Sequence, residues 1–317
     1  FTVDLCAVTL DNGLAVSAGA LNALRREALS QMEALRTAAP ERRAFGFVPP
    51  TTVKNSAEKP LLTVSLHRAA QLSEELIALS PARVYLPVEL LPQLDLAPYR
   101  GRTDFFALLP RIYRTQDEPI LRALLEDGVR KGVTGVSIAN LGHLSLVRGL
   151  DAALHGDWAL NVYNSAALAF WKKEGLSSAC ASFELRDAQL RDLSKCLPCE
   201  AIVYGRLPLM LMENCVMKNR TGICACQTGT VRLVDRVGEE FPIVKDPGTC
   251  RNVLLNGKKL YLLDKKDALR GMGLWALRLQ FTTENPGEID KVLMDYQGRA
   301  VFDAGSYTRG LYSRGVE

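Results

Sequence analysis

The sequence has no apolar run approaching the ~20 residues that a membrane-spanning helix needs. It also lacks a secretory leader pattern. A cytoplasmic protein with no membrane partner is therefore expected. Histidine is scarce: His67, His143 and His155 are the whole complement. There is no HExxH helix to hold a hydrolytic zinc, no GxSxG elbow, and no Walker lysine loop. Gly271, Gly273 and Ala276 imitate a dinucleotide fingerprint but precede a strand-like run, so the phosphate-binding geometry cannot form. A Cys–His nucleophile would need a histidine beside a cysteine. Only His67, at the end of a strand, is placed for that, while His143 and His155 read as helix-surface residues. Eight cysteines in 317 residues are too few for a disulfide scaffold.

What is present is an ordinary globular composition, 48% hydrophobic and 23% charged. The net charge of +4 is spread over short basic pairs such as Arg25-Arg26 and Lys258-Lys259. That balance permits an RNA substrate without arguing for one. The first residue is Phe1, which sets the expectation of a longer polypeptide whose N-terminal half is a partner of this chain.

Residues 3–16 alternate loosely, as one or two short strands would. From Ala18 the run ALNALRREALSQMEALRTA places apolar residues at helical spacing, with Ser17 as N-cap. Residues 38–60 carry prolines among mixed polar residues and read as a linker. Residues 1–60 are thus expected to be an appendage, and 61–317 the main domain.

From Leu61 short apolar runs alternate with amphipathic stretches. The expected strands are 61–67, 82–87, 105–110, 135–140, 159–164, 178–184, 200–206 and 275–281. The expected helices are 69–79, 116–130, 143–154, 165–174, 187–195 and 286–294. Eight strand–helix units predict an α/β fold, a (β/α)8 TIM-type barrel. An open doubly wound sheet is the alternative. Residues 207–270 form an insertion between strands seven and eight. In a parallel barrel, chemistry collects where strands end. His67, Arg68, Arg111, Asn140, Asn161, Asn164, Glu184, Arg206 and Glu284 stand at those ends. Helix capping or loop support is the plainer role for any one of them. Glu184 and Arg206 stand out because they neighbour the cysteine-bearing insertion in strand order.

Cys215, Cys224, Cys226 and Cys250 cluster with the spacing C-x8-C-x-C-x23-C. Grouped thiolates hold soft metals or iron–sulfur clusters. Zinc knots show paired CxxC knuckles, which this set lacks, so an iron–sulfur cluster is the expectation and Zn the alternative. Free buried thiols remain the plain reading. Cys6 and Cys180 stand in apolar settings and read as core, and Cys196 and Cys199 form a CxxC in a packed loop.

The same stretch resembles the peptidase U32 family, the collagenase-like peptidases. The resemblance rests on Val203-Tyr204-Gly205-Arg206, Pro208-Leu209-Met210, Cys215, Asp235-Arg236, Phe241-Pro242, Cys250 and Asn256. Upstream Pro110-Arg111, Asn140-Leu141-Gly142, Leu160 to Asn164 and Phe183-Glu184-Leu185 also fit, as do Arg278, Phe281 to Glu284 and Tyr307 to Gly310 downstream. It covers nearly all of the chain after residue 61. Leu21-Asn22 and Leu24 to Glu27 resemble the end of a collagenase-type insert domain, so the chain is similar to the C-terminal portion of a long member. The family name implies a peptidase. The resemblance also implies a 4Fe–4S cluster on four cysteines and oxygen-independent hydroxylation of a tRNA or rRNA base, with prephenate as a carboxylate donor. Many relatives carry a cysteine seven residues before the one matching Cys215, where this chain has Pro208; Cys226 is the expected replacement. Within that reading Arg111 and Arg206 hold the donor carboxylate. Glu184 serves as acid or base, and Asn161, Asn164 and His67 orient substrate. A collagenase-like peptidase and a non-catalytic RNA-binding barrel are the alternatives.

Overall fold

Strand runs rich in Val, Leu, Ile and Phe, separated by short amphipathic helices, close on themselves. The computed structural model describes residues 7, 9, 11–46, 48–53, 55, 58–223 and 231–314. The chain divides into two compact units, Phe1–Val48 and Pro49–Glu317. In the first, α1 (Ala18–Thr37) is capped by Ser17, whose Oγ accepts from Ala20 N–H at 3.1 Å. None of its side chains is buried. Of the strands expected over 3–16, residues 7, 9 and 11–16 are described and none of them is in a strand; the remainder, Cys6 among them, lies outside the described residues.

The second unit runs through β1 (Leu61–Ser65), α2 (Glu74–Ala78), β2 (Arg83–Pro87), β3 (Asp104–Leu108), α3 (Glu118–Lys131) and β4 (Val133–Ile138). It continues with α4 (His143–Leu146), β5 (Ala153–Gly156), α5 (Ser165–Lys173), β6 (Ser178–Cys180), α6 (Asp187–Asp192) and β7 (Cys199–Gly205). The insertion supplies β8 (Pro208–Met212), α7 (Val216–Thr221), β9 (Val231–Val234), β10 (Glu240–Lys245), β11 (Asn252–Leu255), β12 (Lys259–Tyr261) and α8 (Lys266–Arg270). Then come β13 (Ala276–Gln280), α9 (Pro286–Tyr296) and β14 (Tyr307–Thr308).

Strands β1 to β7 pair in parallel, each with the next. β13 pairs in parallel with both β1 and β7 and closes the ring. The result is the expected (β/α)8 barrel with its insertion between strands seven and eight. Closure brings β7 so near β13 that a Cβ on Gly205, at φ +128°, would lie 2.1 Å from the Gln280 carbonyl oxygen. Only glycine fits there. On the outer face of the strands, Val64, Val84, Leu86 and Leu279 share one apolar core with Leu76, Ile77, Leu121 and Val292 of the helices. Each such side chain contributes roughly 1.5–3 kcal/mol on burial.

The fifth strand is not where the sequence placed it. Strand β5 is Ala153–Gly156, overlapping the end of the helix expected over 143–154, and only His143–Leu146 is helical there. The expected strand 159–164 is a single helical turn at Trp158–Leu160 followed by a lone bridge from Val162 to Ala181. The run ALHG has no β-branched residue, so it carries no strand signal. It is held as a strand by parallel pairing with β4 and β6, which places His155 in the barrel interior. His155 and His143 are accordingly both fully buried, not on helix surfaces.

In the insertion, β8, β11, β10 and β9 form a four-stranded antiparallel sheet in that order. The hairpin expected over Val231–Ile243 is formed by β9 and β10, with Val231 opposite Ile243. β12 returns to pair antiparallel with β7.

Candidate active site

The barrel interior is polar, which strand periodicity alone could not reveal. Arg278 of β13 is fully buried and ion-pairs with Glu200 of β7 and with Asp157 just past β5. Its guanidinium also lies 4.1 Å from the Tyr85 ring centroid. Glu200 further accepts from Thr63 Oγ1 at 2.8 Å and Tyr85 Oη at 3.2 Å. Burial would raise the Glu200 carboxyl, yet Arg278 and His155 hold it well below the usual carboxylate range. Burial lowers the His155 ring below its ordinary value, against the Glu200 charge. Its Nε2 lies 2.9 Å from Glu200 Oε1 and its Nδ1 2.9 Å from Ser178 Oγ. Ser178, His155 and Glu200 thus have the make-up of a hydrolase triad, but all three are fully buried. Arg83 Nη1 also donates to Ser178 Oγ at 2.6 Å. A substrate carbonyl cannot reach that hydroxyl, so this is a structural network.

Above it, at the strands' C-terminal ends, opens a cavity between barrel and insertion sheet. The barrel contributes His67, Glu89, Arg111, Asp157 and Trp158 to its wall. The sheet contributes Pro208, Val244, Asp246, Val253 and Leu255. His67 Nε2 meets the Lys245 carbonyl of β10 at 2.9 Å, which fastens the roof to β1. Burial lowers the His67 ring to about 4, so it is neutral and donates that bond. The Arg111 guanidinium lies 5.0 Å from the Trp158 ring centroid and has no hydrogen-bond or ion-pair partner among the described residues. Burial lowers its basicity, opposed by Asp246 and Asp157. Glu89 is pushed up to about 7, chiefly by burial, with the Asp246 charge adding to the rise. Asp246 is itself raised by burial, against Arg111 and Arg251.

The other residues picked from the sequence are dispersed. Arg206 does not line this cavity; its Nη1 donates to the carbonyls of Asn256 (2.9 Å) and Gly257 and holds that loop. It borders a separate polar cleft with Arg232 and Lys259. Asn164 is the N-cap of α5, its Oδ1 accepting from Ala167 N–H at 2.8 Å. Asn161 is exposed at φ +48°, ending the Trp158–Leu160 turn. Glu184 is half-buried past β6, its own N–H donating to Ser182 Oγ at 3.3 Å, and is not in the rim cavity wall. Asn140 supports the Arg111 carbonyl, and Glu284 pairs with Lys259. Of the nine residues at strand ends, the rim cavity gathers His67 and Arg111. Sequence reasoning missed Glu89, Asp157 and Asp246. Glu89 stands two residues beyond β2 and was within reach of the same strand-end rule. Asp157 was hidden by the misplaced fifth strand.

Beside the rim cavity a second one is lined by Glu89, Pro110, Leu121, Glu213, Thr249 and Cys250 among others. The segments carrying Cys215 and Cys250 are bound together. Asn252 Oδ1 accepts from Val216 N–H at 2.9 Å, and β11 pairs with β8. Glu213 accepts from Arg251 Nε at 2.9 Å. Cys215 is half-buried and Cys250 exposed. Cys224 and Cys226 lie outside the described residues. Among the described residues no three of His, Cys, Asp and Glu converge on one point. Cys180 is buried in β6, as expected of a core thiol, whereas Cys199, expected in a packed loop, is buried at the start of β7.

The model of peptidase family U32 matches residues 99–304, well over half of the chain. Among solved structures, the U32 peptidase Mk0906 is similar over 76% of this chain and 100% of its own, at 12% identity and a TM-score of 0.42. A putative deoxyribose-phosphate aldolase from Coccidioides immitis is similar over 56% of this chain and 84% of its own, at 10% identity and a TM-score of 0.31. A 3-dehydroquinate dehydratase from Geobacillus kaustophilus is similar over 49% and 80%, at 11% identity and a TM-score of 0.34. No curated protein matches the chain.

Proposed function

The chain belongs to peptidase family U32, and from that membership we propose that it is an iron–sulfur-dependent enzyme module for oxygen-independent hydroxylation of an RNA base. Cys215, Cys224, Cys226 and Cys250 hold the cluster in this reading, with Zn as the alternative occupant. The observation that carries it is the fastening of the Cys215 and Cys250 segments to each other, through Asn252 and the β8–β11 pairing, in the sheet that roofs the rim cavity. Two thiols on adjoining segments are the right donor chemistry for a soft metal or cluster. When bound, a cluster supplies electron transfer. The chain's own part is to bind and orient substrate in the rim cavity. The Arg111 guanidinium, which lies against Trp158 and has no hydrogen-bond or ion-pair partner among the described residues, is suited to take a small carboxylate such as prephenate. Arg206 drops out of that role, since loop carbonyls occupy it. Anaerobic preparation with iron and sulfide analysis, followed by mass spectrometry of tRNA and rRNA incubated with the loaded protein, tests the reading. Protein without iron or sulfide, or RNA that gains no oxygen, overturns it.

Peptide hydrolysis is the second reading, favoured by the family's description. The only Ser–His–Glu grouping found among the described residues is sealed in the barrel. Intact gelatin and casein after incubation are the outcome expected here.

A further inference from the structure

The insertion sheet ends in two edges, β8 and β9, that are built differently. At the β8 edge Pro208 has no N–H to offer, and the register with β11 slips between Leu254 and Leu255. Proline and an irregular register are the usual guards against a further strand. The β9 edge has neither. Val231 to Val234 pair in unbroken register with β10 and, among the described residues, with no other strand. Val234 is 58% exposed, Leu233 46% and, in the turn that follows, Val237 81%. The charge of Arg232 is already met by Glu240 of β10. The backbone groups that this edge presents follow from the ladder. Asp235 N–H donates to the Glu239 carbonyl at 3.1 Å, so residues 235 and 239 are a hydrogen-bonded pair. Antiparallel pairs alternate, which turns the N–H and C=O of Leu233 inward to Phe241 and those of Arg232 and Val234 outward.

We propose that β9 is where two copies of this chain meet, edge to edge and antiparallel, about a two-fold axis at Leu233. A patch that pairs with itself across a two-fold must be complementary to itself. Only registers that set outward groups against outward groups can form the ladder. Setting Arg232 opposite Arg232, or Val234 opposite Val234 with Arg232 opposite Arg236, brings like charges face to face. The register between these sets Arg232 opposite Val234 of the second copy, and the two-fold repeats that exchange of N–H···O=C bonds. Leu233 then faces Leu233 of the second copy in the non-hydrogen-bonded position, where side chains stand closer. The aliphatic stem of Arg232 covers Val234 of the second copy. The two insertion sheets become one continuous antiparallel sheet. The overlap is short, so the dimer is a transient one, below the area of standard interfaces. The proposal goes beyond the reaction proposed above and depends neither on the cysteines nor on Arg111.

Sedimentation equilibrium of the whole chain under reducing conditions, from about 1 µM to about 1 mM, reads the association. The expected result is monomer at the low end and a rising share of dimer at the high end. Val234→Lys sets a lysine opposite Arg232 of the second copy, twice by symmetry, and should weaken the dimer about tenfold or more. The register has its own test. Leu233→Cys places two thiols on α-carbons about 4.5 Å apart, a span that a disulfide bridges. Oxidised glutathione should then join two chains through residue 233: an S–S bond forms between them, and the glutathione disulfide takes up the two electrons and two protons to give two thiols. Val234→Cys faces Arg232 instead of a second thiol and should stay unlinked. Peptide mapping separates these links from any made by the exposed Cys250. If Val234→Lys loosens its own hairpin, the Leu233→Cys link still decides. A chain that stays monomeric throughout overturns the proposal. So does a dimer that a folded Val234→Lys leaves intact, or one that links through residue 234 and not 233, because another surface or register then holds the copies.

Discussion

His67 Nε2 donates to the Lys245 main-chain carbonyl across 2.9 Å, joining the end of the first barrel strand to the third strand of the insertion sheet. Arg114 also joins barrel and insertion, its Nη2 donating to Glu213 Oε1 at 2.8 Å, but at an exposed site. His67→Ala should therefore loosen the sheet while leaving the barrel intact. The global loss is expected near 1 kcal/mol, the usual net worth of one hydrogen bond. Hydrogen exchange of the amides in β10 and β11 should quicken, and those of β2 to β4 should not. Equal protection in both regions would show that the roof is held by packing instead.

The buried ion network makes a sharper prediction. Glu200→Leu leaves Arg278 with Asp157 as its one ion-pair partner among the described residues and strips Thr63, Tyr85, His155 and Arg278 of their shared carboxylate. Breaking a buried pair from one side costs about 3–5 kcal/mol. Urea unfolding should show a lower midpoint with little change in slope. Ser178→Ala, in contrast, removes the hydroxyl of the sealed triad and should leave any catalytic activity in place. Proteolysis that disappears with Ser178→Ala would make the interior network a catalytic one.

Acid should act through the histidines. Burial lowers His143 to about 4, and its Nδ1 accepts from Ala139 N–H at 3.2 Å. A folded value below the unfolded one of about 6.5 means that stability is complete above that value and is lost as pH falls toward 4. His67 adds a contribution of the same sign. Two-state melts from pH 7 to pH 4 should show a falling midpoint. His143→Gln should be less stable at neutral pH but flatter across this range. A parallel pH profile for the variant would remove His143 from the account.

The barrel was legible because its outward faces obey strand and helix periods, and β1, β2 and β7 in particular are apolar runs of strand length. The site was legible only in part. Arg111 and Arg206 look alike in sequence, both at strand ends, yet Arg206 is engaged by carbonyls fifty residues further on, Asn256 among them. Chain order carries no trace of that contact. Asn164 read as a substrate ligand and proved to be a cap, the commoner role for Asn before a helix. Arg278 was visible only as a residue of the family pattern, since a lone arginine in an apolar run gives no hint of Glu200 and Asp157 facing it from other strands.

The cysteines carry the last prediction. Metals and clusters bind thiolate, not thiol. In β6 the Cys180 thiol is pushed well above its ordinary value by burial, and in β7 Cys199 is pushed up to about 12 for the same reason. Neither can readily shed its proton at neutral pH, so Cys180→Ala should keep whatever metal the protein holds. Cys6→Ala should do the same if Cys6 is no ligand. Cys250 is exposed, and its segment is tied to that of Cys215 through Asn252 and the Glu213–Arg251 ion pair. Neither thiol belongs to the barrel's apolar core. Cys215→Ala and Cys250→Ala should thus lose iron, sulfide or zinc while circular dichroism shows the barrel still folded. Asn252→Ala should weaken metal retention with both thiols present, because it frees the Val216 end of the pair. Iron, sulfide and zinc per chain in anaerobically prepared variants decide the matter. If Cys215→Ala and Cys250→Ala carry as much metal as the parent, the insertion is a roof without a cluster, and RNA hydroxylation loses its support in this chain.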